Sequence, residues 1–486
     1  MFFMRKRQRE LSGYLDGVSG GRVCGWVCDR LRPRDRFDVE ICSAGKVIGV
    51  AHADEPRADL AGAGFGDGRY GFHFDLPEGD WSEETLAARV RAENFWLLAS
   101  SGRESFANGL INSTRRGLPR LEPALSFRPV DERDVEIAAE LQSAWRAQAG
   151  RTGARRLGGG GAMWTDIVSK RHRPLLALLD GEDPRALAQC LVDVQKSAAA
   201  TGLEQGEQAY RDFLAASPEG RRAAVAPFHD MLASLAQYMG LAGVECAEQD
   251  YVGETLVVSS QRLVADIEAA LGFPLTPPAV FDGLYGLSTG AGVLHGRDIQ
   301  ALYLALRAIE ASGVARPRIC EIGGGFGKAA RYAMLAGAGH YTIVDLPTVA
   351  AMQFFQLRRA LPDVPVAFRR PSEPSRGEGV DLVLAPQMDD ATVIEADIVV
   401  NCDSFPEMGD AVCRSYFARI GGWAPLLLSV NQEANREIDA SGRQSIVGAL
   451  LPDYGFTRRY RFRSWIRRGY AEELWSAPRR STAARR

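Results

Sequence analysis

The sequence lacks any apolar run long enough to cross a bilayer: no uncharged hydrophobic stretch approaches the ~20 residues that a spanning helix needs. A leader core is missing too. The opening MFFMRKRQRE places four apolar residues before a basic cluster, short of the roughly 7 to 15 of a signal-peptide core, so export is not predicted and a cytoplasmic protein is expected. An excess of one charge is also absent. With 58 Lys+Arg against 61 Asp+Glu, the net charge of -3 offers nothing to a polyanion, and nucleic acid is not implied as a partner. The eight cysteines are scattered. Only Cys24 and Cys28 lie close, with no matching Cys/His pair downstream, so reduced thiols are expected and no zinc site. No tandem repeat is visible.

What is present suits folded domains: 46% apolar and 24% charged residues in a 486-residue chain, too long for one hydrophobic core. From about residue 12 to 108, short apolar runs (Arg22 to Cys28, Phe37 to Ile41, Lys46 to Val50) alternate with Gly, Pro and Asp, the punctuation of a small β domain. Its glycine-dense segments, Gly13 to Gly25 and Gly64 to Gly71, precede no helical pattern and are read as turns, not phosphate loops. A Pro/Arg-rich stretch from Arg115 to Pro129 reads as a linker, and Gly158 to Gly161 as a flexible break. From Trp164 to about Gly272 apolar residues recur at three- and four-residue spacing, predicting helices. Beyond Ala291 strands and helices alternate, as in an α/β sheet. The expected division is a β-rich accessory module (1–115), a linker and helical subdomain (116–290) and a Rossmann-like α/β domain (291–486).

The chemistry is concentrated in Arg318 to Ala333, RICEIGGGFGKAARYA, which runs from a short strand through a glycine turn into an Ala-rich helix. A class I methyltransferase uses a strand ending in an acid and then GxGxG, so that the backbone can approach S-adenosylmethionine without an intervening Cβ. Glu321, Gly323, Gly325 and Gly327 fit. The same stretch holds a GxGxxA match through Gly325, Gly327 and Ala330, so the glycines alone leave a nicotinamide-dependent oxidoreductase open. Asp345 closes the next strand, eighteen positions after Gly327, where a carboxylate can accept from both ribose hydroxyls. Its other reading is a helix cap, since Leu346 and Pro347 follow.

Two further strands, Val380 to Ala385 and Ala396 to Asn401, end in polar residues, and ligands of open α/β sheets bind outside the carboxyl ends of strands. Gln387, Asn401, Asp403 and Ser404 are therefore placed near the site. Methyl transfer to a hydroxyl is an in-line displacement that needs the acceptor oxygen aligned and its proton removed. Glu407 and Asp403 are the candidates for base or positioning group, with His295 as the outsider. A second mechanism would use Mg²⁺ on Asp403 and Asn401; with no paired ligand motif elsewhere, no metal site is assigned. The final DYGFTRRYRFRS reads as part of an antiparallel pair at the sheet edge, an ending that resembles methyltransferases more than dehydrogenases.

EIGGGFGKAARYA, YTIVDLPTV with AMQFFQLRRAL, DIVVNCDSFPEM and LLLSVNQEA, with MWTDIVSKRHRPLLALLDGEDPRALA and GLEQG upstream, resemble the sugar O-methyltransferase family of bacterial surface-carbohydrate gene clusters, over about Met163 to Trp475. That family usually has Gln where Pro406 stands, which weakens a catalytic role for this loop. GYLDGVSGGRVCGWVCD and GFGDGRYGFHFDLP resemble a β module attached to bacterial polysaccharide enzymes, implying a binding or scaffolding role around Trp26, Tyr70 and Phe72. The resemblance to sugar O-methyltransferases implies S-adenosylmethionine as cofactor and a sugar, nucleotide-sugar or glycan as acceptor, and Glu321, Gly323, Gly325, Gly327, Asp345, Leu346, Gln387 and Asn401 are the expected cofactor contacts. Partner glycan-assembly enzymes are implied as well. A third reading, a glycan-binding protein with a relic cofactor fold, stays open.

Overall fold

The computed structural model describes residues 9, 11–43, 46–77, 79, 86–93, 95–99, 121–149, 161–244, 258–375, 377–388, 392–434, 437–439 and 442–478. The first part of the expected linker (115–120) and Gly158 to Gly160 lie outside them, as do the first eight residues and Cys246; the rest of that linker is described, and Pro123–Leu125 within it is a strand. Two compact units are formed, one from Met1–Glu122 with Ala216–Leu263, the other from Pro123–Ala215 with Val264–Arg486. Residues 116–290 are thus divided between the two. Among the described residues no helix is long and apolar enough to cross a membrane.

The first unit is built on eight strands: β1 (Leu11–Ser19), β2 (Arg22–Asp29), β3 (Asp38–Ser43), β4 (Lys46–His52), β5 (Glu55–Pro56), β6 (Arg69–Asp75), β7 (Leu86–Val90) and β8 (Phe95–Ala99), with the short α1 (Ala58–Gly62) before β6. They form one sheet in the order β4-β3-β7-β8-β1-β2-β6-β5. The sheet curls on itself, because a Cβ at Gly49 in β4 would overlap the Phe74 ring in β6. Inside lie Leu15, Val23, Val27, Val39, Ile41, Phe72 and Leu97. Trp26 and Tyr70 pack in a second cluster with Leu60, and the Tyr70 hydroxyl donates to Pro33 O at 2.8 Å. The three aromatics proposed to meet glycan are therefore core residues, 6% or less exposed, and offer no binding face. Helix α7 (Pro218–Tyr238) belongs to this unit; Ser217 caps it by accepting from Gly220 N at 3.1 Å, and Pro218 takes the first turn, where no N–H is missed.

In the second unit a helical layer precedes and covers an α/β sheet. It comprises α2 (Glu132–Ala149), α3 (Gly161–Arg171), α4 (Arg173–Asp180), α5 (Pro184–Val192) and α6 (Gly206–Ala215), while α8 (Ser260–Leu271) crosses the division. A small sheet joins β9 (Pro123–Leu125), β10 (Tyr285–Ser288) and β11 (Val293–Leu294). Then follow α9 (Gly296–Ser312), β12 (Arg318–Ile322), α10 (Lys328–Leu335), β13 (His340–Asp345), α11 (Pro347–Ala360), β14 (Val366–Phe368), β15 (Val380–Leu384), β16 (Ile398–Cys402), α12 (Ser404–Met408), α13 (Asp410–Ile420) and β17 (Leu426–Gln432). The small hairpin β18 (Glu437–Asp439) and β19 (Gly442–Arg443), α14 (Val447–Leu450), β20 (Thr457–Arg463) and β21 (Tyr470–Ser476) complete the chain.

The main sheet runs β14-β15-β13-β12-β16-β17-β21-β20. Neighbours from β14 to β17 are parallel, β21 is antiparallel to β17 and β20 antiparallel to β21. The expected edge pair is present. Strands β12, β13, β15 and β16 are buried on both faces and read as apolar runs, as parallel strands covered by helices must. From β12 the chain passes to β13, then to the edge strand β14, returns to β15 between them, and crosses to β16 on the other side of β12. That reversal opens a crevice at the carboxyl ends.

Helix α11 is buried along almost its whole length, from Pro347 to Leu357, because the helical layer lies on it. His172 bridges the two: its Nδ1 meets Thr348 Oγ1 at 2.7 Å and its Nε2 meets Ala199 O at 3.0 Å. Burial lowers its pKa to about 4, keeping the ring neutral. Arg358 and Arg359 add ion pairs to Glu140 and Asp131.

Candidate active site

A cavity opens where β12, β13, β15 and β16 end, with about 970 Å³ of space free of protein atoms, its open mouth included, near the upper end of the usual small-molecule range of roughly 300–1,000 Å³. One wall is the glycine turn. Gly323 (φ 73°), Gly325 (φ 54°) and Gly327 (φ 78°) all take left-handed backbone, which a Cβ disfavours. Their surroundings differ. A Cβ at Gly323 would overlap the Ser404 side chain, one at Gly327 would come within 3.1 Å of Leu357 Cδ1, and one at Gly325 would meet nothing within 4 Å. Gly325 therefore faces the opening, while Gly327 caps α10 and is not part of the lining.

Asp345 stands at the floor of this wall. Its Oδ1 accepts from Leu346 N at 2.7 Å, and its Oδ2 from Gly324 N at 2.8 Å and Gln353 Nε2 at 2.7 Å. Gln353 also donates to Gly325 O at 2.9 Å, so one side chain ties the acid to the turn. A carboxylate has about four lone-pair sites, and three are taken. Burial pushes the Asp345 pKa up to about 6 against the pull of these bonds. Leu346, not Asp345, is the cap residue of α11. Glu321 lies one strand over, 3% exposed, accepting from the Tyr341 hydroxyl at 3.0 Å; burial pushes it to about 8, with Tyr341 opposing and Asp345 adding to the rise.

The opposite wall comes from α12 and from α3. Trp164 Nε1 donates to Glu407 Oε2 at 3.1 Å. Burial lifts Glu407 to about 7, the Trp164 bond working against it and the Asp403 charge with it. Asp403 behaves in the opposite way. It adopts φ 69°, the only positive φ outside glycine among the described residues, and its Oδ2 is shared by Arg297, by Arg467 at 2.6 Å and by Gln300 at 3.3 Å. Burial favours its neutral form, yet Arg297 and Arg467 hold its pKa down to about 2.

These surroundings correct several sequence-based assignments. A carboxylate held near 2 is too weak a base to take a hydroxyl proton, and its two guanidinium partners oppose a divalent cation. With both arginines on its Oδ2, Asp403 is placed to pin the start of α12, an arrangement that disfavours a role as base or Mg²⁺ ligand. Asn401 is fully buried and spent within the scaffold: its Nδ2 donates to Ile322 O at 2.8 Å and Ser404 Oγ at 2.5 Å, and its Oδ1 accepts from Asn431 at 3.0 Å. It joins neither cofactor nor metal. Gln387 stands beyond β15 but outside the lining. His295 caps α9, its Nδ1 accepting from Arg297 N at 3.1 Å beside Glu204, and it too is absent from the lining. Among the described residues no group of three or more His, Cys, Asp or Glu is arranged to hold a metal ion.

Two other lining residues were given no role from the sequence, although they stand within GLEQG and EIGGGFGKAARYA. Glu204, from the turn before α6, and Lys328, the first residue of α10, form a buried ion pair, and Lys328 also reaches Asp298 at 2.8 Å. Lys328 holds Glu204 at about 2, although burial pulls the other way.

A scan of the chain against protein-family models finds no match, and a comparison with curated proteins finds none either. Among solved structures, magnesium protoporphyrin IX methyltransferase from Synechocystis PCC 6803 with bound SAM is similar at 14% identity over 38% of this chain and 80% of that one, TM-score 0.28. The ribosomal protein L11 methylase of Lactobacillus delbrueckii subsp. bulgaricus is similar at 13% identity over 37% and 79%, TM-score 0.25. Likeness this slight adds nothing to the chemistry of the site, which rests on the residues above.

Proposed function

We propose that this chain is an S-adenosylmethionine-dependent O-methyltransferase acting on a sugar hydroxyl. The observation that carries the reading is the meeting, in one cavity at the switch point of the sheet, of the open glycine turn, Asp345 and a carboxyl group titrating near neutrality, Glu407. The residues fit the cofactor: Gly325 leaves room for it, and Asp345 keeps acceptor capacity for a ribose hydroxyl. When bound, S-adenosylmethionine supplies a methyl group on a sulfonium centre. Glu407 then receives the proton of the acceptor hydroxyl, with Trp164 fixing the carboxyl orientation. Asp403, pinned by its arginines, anchors the start of α12 and so the position of Glu407 one turn on. A base titrating near 7 is suited to this transfer at neutral pH.

The acceptor class comes from the resemblance to sugar O-methyltransferases, as does a role in surface polysaccharide assembly. The antiparallel β20–β21 edge supports methyl over hydride transfer. A thermal-shift panel tests the reading: stabilisation by S-adenosylhomocysteine is expected. Stabilisation by NAD alone would move the protein to the oxidoreductases, and by neither, to binding proteins. Transfer of labelled methyl from S-adenosylmethionine to fractionated nucleotide-sugars or glycan tests the acceptor.

A further inference from the structure

Arg297, in the first turn of α9, and Arg467, in the loop between β20 and β21, converge on a single carboxylate oxygen, Asp403 Oδ2. Each does so through its Nη1 alone, and the same two Nη1 atoms reach Gln300 Oε1 at 3.1 and 3.2 Å. A guanidinium carries five N–H donors. Among the described residues the Nε and Nη2 of both arginines make no hydrogen bond, while Arg297 is 33% and Arg467 26% exposed at the side chain. Arg467 also lies over the Tyr470 ring, 3.8 Å from its centroid, which holds its plane in place.

Two guanidiniums share one carboxylate oxygen, and Glu204 and Glu472 are engaged elsewhere, by Lys328 and by Arg307; with Glu407 protonated the pair carries one positive charge in excess, and with Glu407 ionised the charges balance while the Nε and Nη2 donors stay unused. One arginine would suffice to pin Asp403. The second leaves a set of unused donors; Arg297 lines the cavity together with Glu407, while Arg467, outside the lining, reaches the same Asp403 oxygen. Planar donor forks of this kind suit the paired oxygens of phosphate or carboxylate.

We propose that the acceptor carries an anionic group, a phosphate or carboxylate, received by Arg297 and Arg467 while its hydroxyl faces Glu407. The inference deepens the methyl-transfer reading and rests on it. It narrows the acceptor to a sugar phosphate, a nucleotide-sugar or a uronic acid, and sets neutral sugars aside.

The test is calorimetry on the full chain with S-adenosylhomocysteine present, using glucose 1-phosphate, glucuronate and neutral methyl glucoside as probes. At least one anionic probe is expected to bind about ten- to hundred-fold more tightly than methyl glucoside, the scale of charge-assisted hydrogen bonds, and the two anions separate a phosphate from a carboxylate preference. Arg297→Gln and Arg467→Gln are each expected to reduce that preference about ten-fold or more, with S-adenosylhomocysteine affinity and melting temperature near wild type. Equal binding of neutral and anionic probes by a protein that binds S-adenosylhomocysteine overturns this inference alone. So does a preference that survives in both folded variants. Failure of every protein to bind S-adenosylhomocysteine instead overturns the methyl-transfer reading, and the acceptor role with it.

Discussion

Trp164 and Glu407, 243 positions apart, share a hydrogen bond at 3.1 Å on one wall of the cavity, and this bond tempers the effect of burial on the ionisation of Glu407. An indole N–H stabilises the charged form, so it opposes the burial that lifts Glu407 to about 7. A base must be deprotonated to act; turnover in wild type is therefore expected to rise with pH through about 7. Trp164→Phe removes the donor and is expected to move that rise to higher pH. Glu407→Gln is expected to cost about 10²- to 10⁴-fold in kcat, with S-adenosylhomocysteine affinity unchanged by calorimetry. A Trp164→Phe profile superimposed on wild type, or Glu407→Gln activity within a few-fold of it, removes Glu407 as the base.

Glu321 gives a stability signature of the opposite sign from the usual surface acid. Its folded-state pKa of about 8 lies above the ordinary 4.5, so between these values the folded chain holds a proton that the unfolded chain has released. Stability then falls as pH rises through this window, by an amount on the order of a few kcal/mol at its upper end. Glu321→Gln keeps an oxygen for the Tyr341 hydroxyl and has no proton to lose. The variant is expected to be more stable than wild type at pH 8, with the difference closing toward pH 5, as read by urea unfolding at each pH. A gap that stays constant with pH would mean that Glu321 is ionised throughout.

What the sequence made legible was local. The glycines and Asp345 could be read because a left-handed turn after a strand restricts residue types within a few positions, and the alternation of apolar runs marked both the β unit and the parallel sheet. The rest depended on contacts across long separations. Arg467 reaches Asp403 over 64 positions and Lys328 reaches Glu204 over 124, and no spacing rule connects such pairs. Asn401 and Gln387 were misplaced for another reason: standing at or beyond a strand end puts a residue near the site but leaves open which way its side chain turns. In Asn401 it turns into the scaffold, toward Ile322 O and Asn431. Trp26, Tyr70 and Phe72 show the same limit in the β unit, where the resemblance to a polysaccharide-associated module implied a binding face and packing made a core.

Lys328 is expected to matter for folding more than its place beside the glycines suggests. Its ammonium is buried between Glu204 and Asp298, whose side chains are each 1% exposed. Lys328→Met leaves two buried carboxylates without their cation and is expected to cost ~3–5 kcal/mol, the scale of breaking a buried pair from one side. Combining it with Glu204→Gln is expected to recover part of the loss, since one uncompensated charge is removed. Chemical denaturation of the two variants measures this; a loss under about 1 kcal/mol for the single variant would place water around these groups.

Two of the glycines that line the cavity, Gly323 and Gly325, should part company when substituted. Gly323→Ala meets both a left-handed φ and the Ser404 side chain, whose hydroxyl donates to Ile322 O at 2.8 Å, so it is expected to lose stability by more than the ~1–2 kcal/mol of backbone strain alone. Gly325→Ala meets the φ strain but no atom within 4 Å, and is expected to fold with a loss confined to that strain. Its methyl group points into the space assigned to the cofactor. Calorimetry with S-adenosylhomocysteine is therefore expected to show binding abolished or strongly weakened in Gly325→Ala while urea unfolding shows a protein more stable than Gly323→Ala. If Gly325→Ala binds as wild type does, the cofactor does not lie against this turn, and Asp345 loses its ribose role with it, because Gln353 ties both to the same wall.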